Sequence, residues 1–378
     1  MRSTHCSLIV CPESGEKLLL ESFKTNAELT KEGTSFEDIE CGILYTLQGF
    51  HYPVIDGIPR MLPNPQKLFP GFYSKWKAEL HKIPELKLST VSGSSLQFIT
   101  DYQPTLKRFG REWKKHNLEG LTWGLDQETR ISHFLTYMDI SKEELKNKLI
   151  LDAGAGSGQL TCKLANYGCT IVGIDLSPSI EEGWRNRKKF SPGNYQNILL
   201  VQGNLMNPPF PANTFELIHS SGVLHHTPDT KKAFFKVSDL CKPGGKFAVW
   251  LYSINEGSFL PVFPFISKRF LSVNTKTLRK FTPKLPAAFL YNSILTYVFI
   301  HHSFYKLNTL LRGRKHEQTV RERVTSLFDC LAPPFVWQHD PEDVMRWFKM
   351  SGYTEIKDCS IPGDPDGFNI CGVKMPTD

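Results

Sequence analysis

Four kinds of side chain in this sequence are spaced as a binding or catalytic site would need them. Asp152-Ala153-Gly154-Ala155-Gly156-Ser157-Gly158 follows the apolar run Leu149-Ile150-Leu151 and precedes Leu160, Cys162, Leu164 and Ala165, which read as a helix start. This strand, tight loop and helix start is expected to set backbone N–H groups and a helix N-terminus against a ligand. Glycines at 154, 156 and 158 let the backbone turn sharply and lie flush against it. Asp175 ends a second apolar run, Ile171-Val172-Gly173-Ile174, where a carboxylate can accept hydrogen bonds from two vicinal ribose hydroxyls. Asn204 follows Val201-Gln202-Gly203, and its side-chain carbonyl can accept from an amino group. His225 and His226 follow Ser220-Ser221-Gly222, and the near-neutral pKa of imidazole suits it to take a proton.

Each piece alone has a plainer reading. A glycine-rich strand-to-helix loop also serves NAD or FAD, or is a structural turn, although the dinucleotide pattern G-x-G-x-x-G fails at Gln159. Asp175 can be the cap of a helix opened by Ser177-Pro178. One histidine of the pair can satisfy a backbone carbonyl or cap the following helix.

Taken together and in order, the segments resemble the motifs of the class I S-adenosylmethionine (SAM)-dependent methyltransferases. The acid-x-Gly-x-Gly-x-Gly loop resembles their first motif, and Asp175 stands at the tip of their second strand. Pro209-Phe210-Pro211 and Phe215-Glu216-Leu217-Ile218 follow Asn204, which replaces the family's acid. Ser220 to Asp229 and Leu240-Cys241-Lys242-Pro243-Gly244-Gly245 resemble the segments around strands four and five. The resemblance implies that SAM is held by Asp152, Gly154, Ala155, Gly156, Gly158, Asp175, Leu176, Asn204, Leu205 and Ser220. It also puts His226, and less directly His225, beside the methyl acceptor.

The elements that must position these residues alternate strand and helix from Lys148 to about Tyr252 and resume at the end, the pattern of a doubly wound α/β sheet. The resemblance implies a Rossmann-like sheet of seven strands, closed by a hairpin of Tyr353–Lys357 and Phe368–Met375. Before it, Asp340-Pro341 opens a helix whose buried face is read as Val344, Trp347, Phe348 and Met350. Domain boundaries are read as a small module over 1–65, a helical N-terminal lid over 95–147 and a methyltransferase domain over 148–378, with a helical cap inserted at 253–335. The phrase Tyr52-Pro53-Val54-Ile55-Asp56-Gly57-Ile58-Pro59 resembles a zinc-ribbon-like module that activates some RNA and protein methyltransferases. Two C-x-x-C pairs would complete a ribbon, but Ser14 and Leu44 stand where partners of Cys11 and Cys41 should be, so the module is expected to hold no metal. Trp113 and Trp123 in the lid resemble a bacterial group whose pre-core helices fold over cofactor and acceptor; four-residue spacing from Phe109 also fits an ordinary apolar helix face.

Composition sets limits around this. Hydrophobic residues make up 40% and charged residues 22%, ordinary for a globular protein. Nine cysteines without framework spacing suggest reduced thiols and a cytoplasmic location. Neither a secretory leader nor an apolar run of transmembrane length is read. The net charge of +7 is uneven: twelve basic residues against two acidic ones between Pro261 and Arg323 give +10 there, leaving −3 elsewhere. Aromatic residues crowd the same segment. It is expected either to pack as scaffold with solvated lysines or to form a lid over the acceptor, attracting an anionic acceptor or touching a membrane surface.

The first expectation is transfer of a methyl group to a small-molecule, sugar or lipid-precursor acceptor. An RNA or protein methyltransferase and a SAM-binding protein without transfer are the alternatives. Specific nucleic-acid binding is not expected: the near-tetrapeptide Asn207-Pro208-Pro209-Phe210 precedes strand four, where that of base and glutamine methylators follows it.

Overall fold

The computed structural model describes residues 1–29, 33–86, 126–254, 259–261, 272–311, 319–362 and 367–376. Thirteen strands fall among them: β1 (Leu19–Leu29), β2 (Ser35–Tyr45), β3 (His51–Ile55), β4 (Ile58–Met61), β5 (Leu149–Ala153), β6 (Thr170–Asp175), β7 (Ile198–Gly203), β8 (Phe215–Ser221), β9 (Cys241–Tyr252), β10 (Phe259–Pro261), β11 (Ser272–Asn274), β12 (Tyr353–Asp358) and β13 (Gly367–Lys374). The helices that matter here are α1 (Gln127–Met138), α2 (Gln159–Leu164), α3 (Ile180–Phe190), α4 (Thr230–Ser238), α5 (Ala287–Leu311), α6 (Val320–Leu331) and α7 (Pro341–Met350). One sheet carries eleven strands in the order β1-β2-β3-β4-β7-β6-β5-β8-β9-β13-β12, and β10 pairs only with β11.

Strands β5 to β8 are short, apolar and buried on both faces, as parallel strands covered by helices are. Alternate residues serve the two layers. Leu151, Val172, Leu199 and Ile218 face a cluster with Phe234 of α4 and Phe348 of α7, while Ile150, Ile171, Ile198 and Leu217 face one with Phe134 of α1 and Trp184 of α3. The chain leaves β5 to one side (β6, β7) and β8 to the other, so the order reverses between β5 and β8. Ligands of open α/β sheets bind outside the carboxyl ends of the strands at such a point.

The expected count of seven strands is corrected to eleven. Strands β5 to β9, β12 and β13 supply seven, with β13 antiparallel between β9 and β12 as the final hairpin. The other four come from the N-terminal region, whose last strand pairs parallel with β7 at Arg60↔Gln202 and Met61↔Gly203. A tight turn makes this possible: Asp56 (φ 50°) and Gly57 (φ 75°) are both left-handed, as a two-residue hairpin between β3 and β4 requires. Gly57 also has no room for a Cβ, which would stand 2.1 Å from the Trp184 ring of α3. Arg60 is buried there, ion-paired to Glu181 at 3.1 Å and donating to Gln202 Oε1 at 2.9 Å. Ile9, Leu44, Tyr52 and Met61 belong to the same buried cluster as Leu199 and Val201. The N-terminal strands therefore extend the core sheet. Among the described residues no group of three or more metal-ligating side chains gathers, and Cys11 Sγ lies 3.3 Å from Tyr52 Oη.

The helix after the cap begins as read, with Asp340 Oδ1 accepting from Glu342 N at 2.8 Å, and buries Val344, Trp347 and Phe348. Met350 is 68% exposed and does not belong to that face. Within the cap, α5 and α6 pack on each other through Leu290, Ile294 and Val298 against Val324, Phe328 and Leu331, a cluster apart from the two sheet layers. Of the region read as a lid, residues 95–125, with Trp113 and Trp123, lie outside the described residues; α1 is its described part.

Candidate active site

Strand β5 ends at Ala153, and the loop that follows is shaped by β6. The N–H groups of Gly154 and Ala155 both donate to Ile174 O, at 2.8 and 2.9 Å. Gly156 N donates to Asp175 Oδ2 at 2.8 Å, and Gly158 N to Ala155 O at 2.8 Å. The expectation that these amides point at a ligand is corrected: all four are engaged within the protein, because the loop must satisfy its own backbone where it folds back on the sheet. The carbonyls of Ala155, Gly156 and Gly158 are engaged as well, accepting from Gly158 N, Ser179 Oγ and Cys162 N. All three glycines have positive φ, and a Cβ on Gly154 would sit 2.2 Å from Val223 Cγ2. Helix α3 presses against the loop so closely that a Cβ on Gly183 would lie 2.7 Å from Ser157 O.

Asp175 organises this side. Its Oδ2 holds Gly156 N, and its Oδ1 accepts from Ser177 N at 2.8 Å and Ser177 Oγ at 2.7 Å. Burial pushes its carboxyl above the usual carboxylate range, and these donors offset part of that. A carboxylate has about four acceptor directions, so capacity for a further donor remains. One strand over, Gln202 is in register with Asp175 and donates from Nε2 to Leu176 O at 3.0 Å. Asn204 Oδ1 accepts from Met206 N at 3.0 Å, which fixes the turn after β7, and Leu205 is buried beneath it.

Two residues named from the sequence are turned inward. Asp152 is buried, with Oδ2 accepting from Thr161 Oγ1 at 2.5 Å and Oδ1 3.7 Å from His219 Nδ1. The half-buried guanidinium of Arg130, on α1, feels the charge of that carboxylate. Ser220 is fully buried and its hydroxyl donates to Ala153 O at 2.8 Å, latching β8 to β5.

On the other side of the switch point, Leu224 to His226 form one 3₁₀ turn after β8. His226 is half-buried, and its Nδ1 lies 3.0 Å from Phe335 O. A carbonyl only accepts, so Nδ1 carries the proton and Nε2 presents a lone pair. Burial lowers the His226 pKa below 6.5, and the charge of Asp329 works against that. His225 is 0% exposed; its ring packs tilted against Tyr252 at 4.0 Å, and among the described residues neither ring nitrogen has a hydrogen-bond partner. Burial holds its pKa well below 6.5, so this imidazole is neutral.

The cap completes this side with residues that spacing did not point to. Tyr252 Oη donates to Asp329 Oδ2 at 3.2 Å, and Asp329, on α6, is only 9% exposed. Its carboxyl is raised by burial, while His226, Tyr252 and Arg279 pull it back. Arg279 Nη1 donates to Cys330 O at 2.9 Å. After α6 the chain clamps the histidine turn: Trp337 N donates to His225 O at 3.0 Å, and Trp337 Nε1 to Thr227 O at 2.9 Å. A cavity of about 310 Å³, lined by Arg2, His5, Asn147 and Gln196, lies at the opposite, amino ends of β5 to β7, away from this chemistry.

The structure thus brings Gly154, Ala155, Gly156, Gly158, Asp175, Leu176, Asn204 and Leu205 to one flank of the switch point and His225 and His226 to the other.

Comparison with known proteins agrees with this geometry. Residues 151–249 match the family model described as "Methyltransferase domain". The chain is 30% identical over 142 residues to a demethylmenaquinone methyltransferase of Corynebacterium kroppenstedtii, covering 38% of this chain and 57% of that protein. It is 30% identical over 152 residues to an aklanonic acid methyltransferase of Streptomyces sp., covering 39% of this chain and 65% of that one. The chain thus spans little more than half the length of these relatives. Magnesium protoporphyrin IX methyltransferase from Synechocystis, solved with bound SAM, aligns at 13% identity and a TM-score of 0.42, over 72% of this chain and 97% of that one. Every site residue named above from Asp152 to His226 lies within the residues 151–249 that this family model matches.

Proposed function

We propose that the protein is a SAM-dependent methyltransferase acting on a small-molecule, sugar or lipid-precursor acceptor. The observation that carries the reading is Asp175 at the end of β6, holding Gly156 N–H with one oxygen and keeping acceptor capacity at the switch point. Relatives named for demethylmenaquinone, for sterol and for ubiquinone biosynthesis favour a small organic acceptor over RNA or protein. The glycine loop fits such a cofactor: it leaves a surface without side chains in which Gly154 has no space for a Cβ.

SAM supplies a methyl group on a sulfonium, whose departure needs little chemical assistance. In this reading Asp175 would accept from a ribose hydroxyl in the acceptor direction its three protein donors leave open, and Asn204 would fix the turn beside the adenine. The glycine loop would lie against the methionine end, with Arg130 as counter-charge. The work left to the other flank is alignment and exclusion of water. His226 Nε2 takes the proton of an acceptor that must lose one, and the Phe335 carbonyl holds the ring in that tautomer. Asp329, steadied by Tyr252, favours the imidazolium that results.

Calorimetric titration with SAM tests the site. Asp175→Ala should weaken binding by about 2–4 kcal/mol, the cost of losing a buried charged hydrogen-bond acceptor. Unchanged affinity would sink the assignment. Transfer of labelled methyl from SAM to a small-molecule or lipid extract tests the activity. Tight SAM binding with label reaching only RNA or protein, or nothing, would move the protein to one of the alternatives.

A further inference from the structure

Helix α5 has two apolar faces, and α6 covers one of them. Leu290, Ile294 and Val298 pack into the cap's own cluster, whereas on the opposite face Phe289 is 60% exposed, Phe299 75%, Ile300 54% and Leu307 56%. At the α-helical repeat Phe289, Ile300 and Leu307 fall on one line spanning about 27 Å, with Phe299 beside it. Scattered exposed apolar residues need no explanation, but four large ones along one helix face do.

Two further observations say what covers this face. Two of its hydroxyls are already satisfied: Ser293 Oγ donates to Phe289 O and Thr296 Oγ1 to Asn292 O, each at 2.9 Å. A hydroxyl bonded to its own helix loses little on leaving water. The charge is of one sign. Between Glu256 and Glu317 the sequence has no Asp or Glu and ten Lys or Arg, and exposed Lys280 and Lys284 flank Phe281, itself exposed, just before the helix. A second copy of the chain would bring the same positive segment against itself. An anionic lipid surface complements both features, since rings and aliphatic groups enter the headgroup boundary while lysines meet lipid phosphates. No described helix is long and apolar enough to cross a membrane, so contact would lie along the surface.

We infer that the outer face of α5 is a docking surface for anionic membrane, on which the helix lies in the plane of the lipid headgroups. The inference is independent of the proposed reaction, because binding can be read without SAM or acceptor.

The test is co-sedimentation of the full chain with vesicles of phosphatidylcholine alone and with added phosphatidylglycerol, at low and high salt. The protein should pellet with the anionic vesicles and much less with the neutral ones, and high salt should release part of it. Phe289→Ser and Phe299→Ser, both at exposed positions, should each weaken partition about tenfold. Lys280→Glu with Lys284→Glu should weaken it on anionic vesicles by about tenfold or more. Sedimentation velocity without lipid checks the competing occupant. A concentration-dependent dimer abolished by Phe299→Ser, with no vesicle binding by the parent, would overturn the proposal. So would vesicle binding that ignores both the phenylalanines and the lipid charge.

Discussion

The glycine loop after β5 and the histidine turn after β8 flank the same switch point, yet they are held in place differently. At the loop, contiguous residues do the work: four amides, the Ile174 carbonyl and one carboxylate close on each other within Gly154–Ser177. At the turn, the partners come from elsewhere in the chain. Phe335, Trp337 and Asp329 arrive from the cap and the segment after it, and His225 keeps two buried ring nitrogens unpaired. A surface made of backbone fits a ligand that never changes. In the proposed reading, side chains supplied by an insertion can be exchanged to suit another acceptor without disturbing the sheet.

The sharpest way to break the comparison is Gly154→Ala. The added Cβ meets three atoms of Val223 within 2.7 Å at a φ of +98°, so the loop must move. Loss of SAM affinity or stability of about 3 kcal/mol or more is expected, read by calorimetry and thermal melting. A variant that melts and binds like the parent would show the loop to be pliable.

Substitutions on the other flank should leave SAM affinity alone. His226→Asn should slow transfer on the order of a hundredfold, and Asp329→Asn about tenfold, if a positioned base is removed or weakened. Equal calorimetric affinity with a reduced single-turnover rate is the expected pair of results. A fall in SAM affinity of similar size would merge the two flanks into one.

His225→Phe sharpens the contrast further. It removes two buried polar atoms that have no partner and keeps a ring on Tyr252, so the protein should become more stable by about 1 kcal/mol while acceptor turnover falls. Destabilisation in a chemical-denaturation experiment would mean that the imidazole is satisfied after all.

The smallest effect is in pH dependence. Burial raises Asp175 above 3.8 and lowers His226 below 6.5. In the proposed reading the Asp175 carboxylate accepts a ribose hydroxyl, so SAM affinity should fall on acidification, starting at a higher pH than an ordinary aspartate would give. With neutral His226 as the proposed base, kcat/KM for the acceptor should hold to a lower pH than an ordinary histidine allows. The two acid limbs should therefore lie closer together than the unperturbed values. Limbs at or beyond that separation would contradict the burial of one group or the other.

What the sequence made legible follows the same division. The core strands, their order of acids and glycines, and the helix capped by Asp340 could be read because each signal lies within one element and its next turn. The direction of the loop amides could not, since nothing in Gly-x-Gly-x-Gly tells whether Ile174 O or a ligand receives them. Asp329 and Phe335 escaped because they are about a hundred residues from His226, and no spacing rule links an insertion to the turn it covers. The pairing of β4 with β7 escaped for the same reason. Asn204 was read as a ligand contact, whereas the bond its carbonyl makes in the protein is to its own turn at Met206.

That pairing has a consequence for how the molecule can be cut. Strand β7 would be the outermost parallel strand of a seven-stranded core, with a row of unpaired backbone groups able to recruit a strand from another molecule. Met61 and Arg60 occupy that row, and Tyr52 and Leu44 share a buried cluster with Leu199 and Val201. The first sixty or so residues thus act as a chaperone held permanently in place. A core expressed without them would expose both the open edge and an apolar seam, and should leave solution as aggregates rather than as a smaller enzyme.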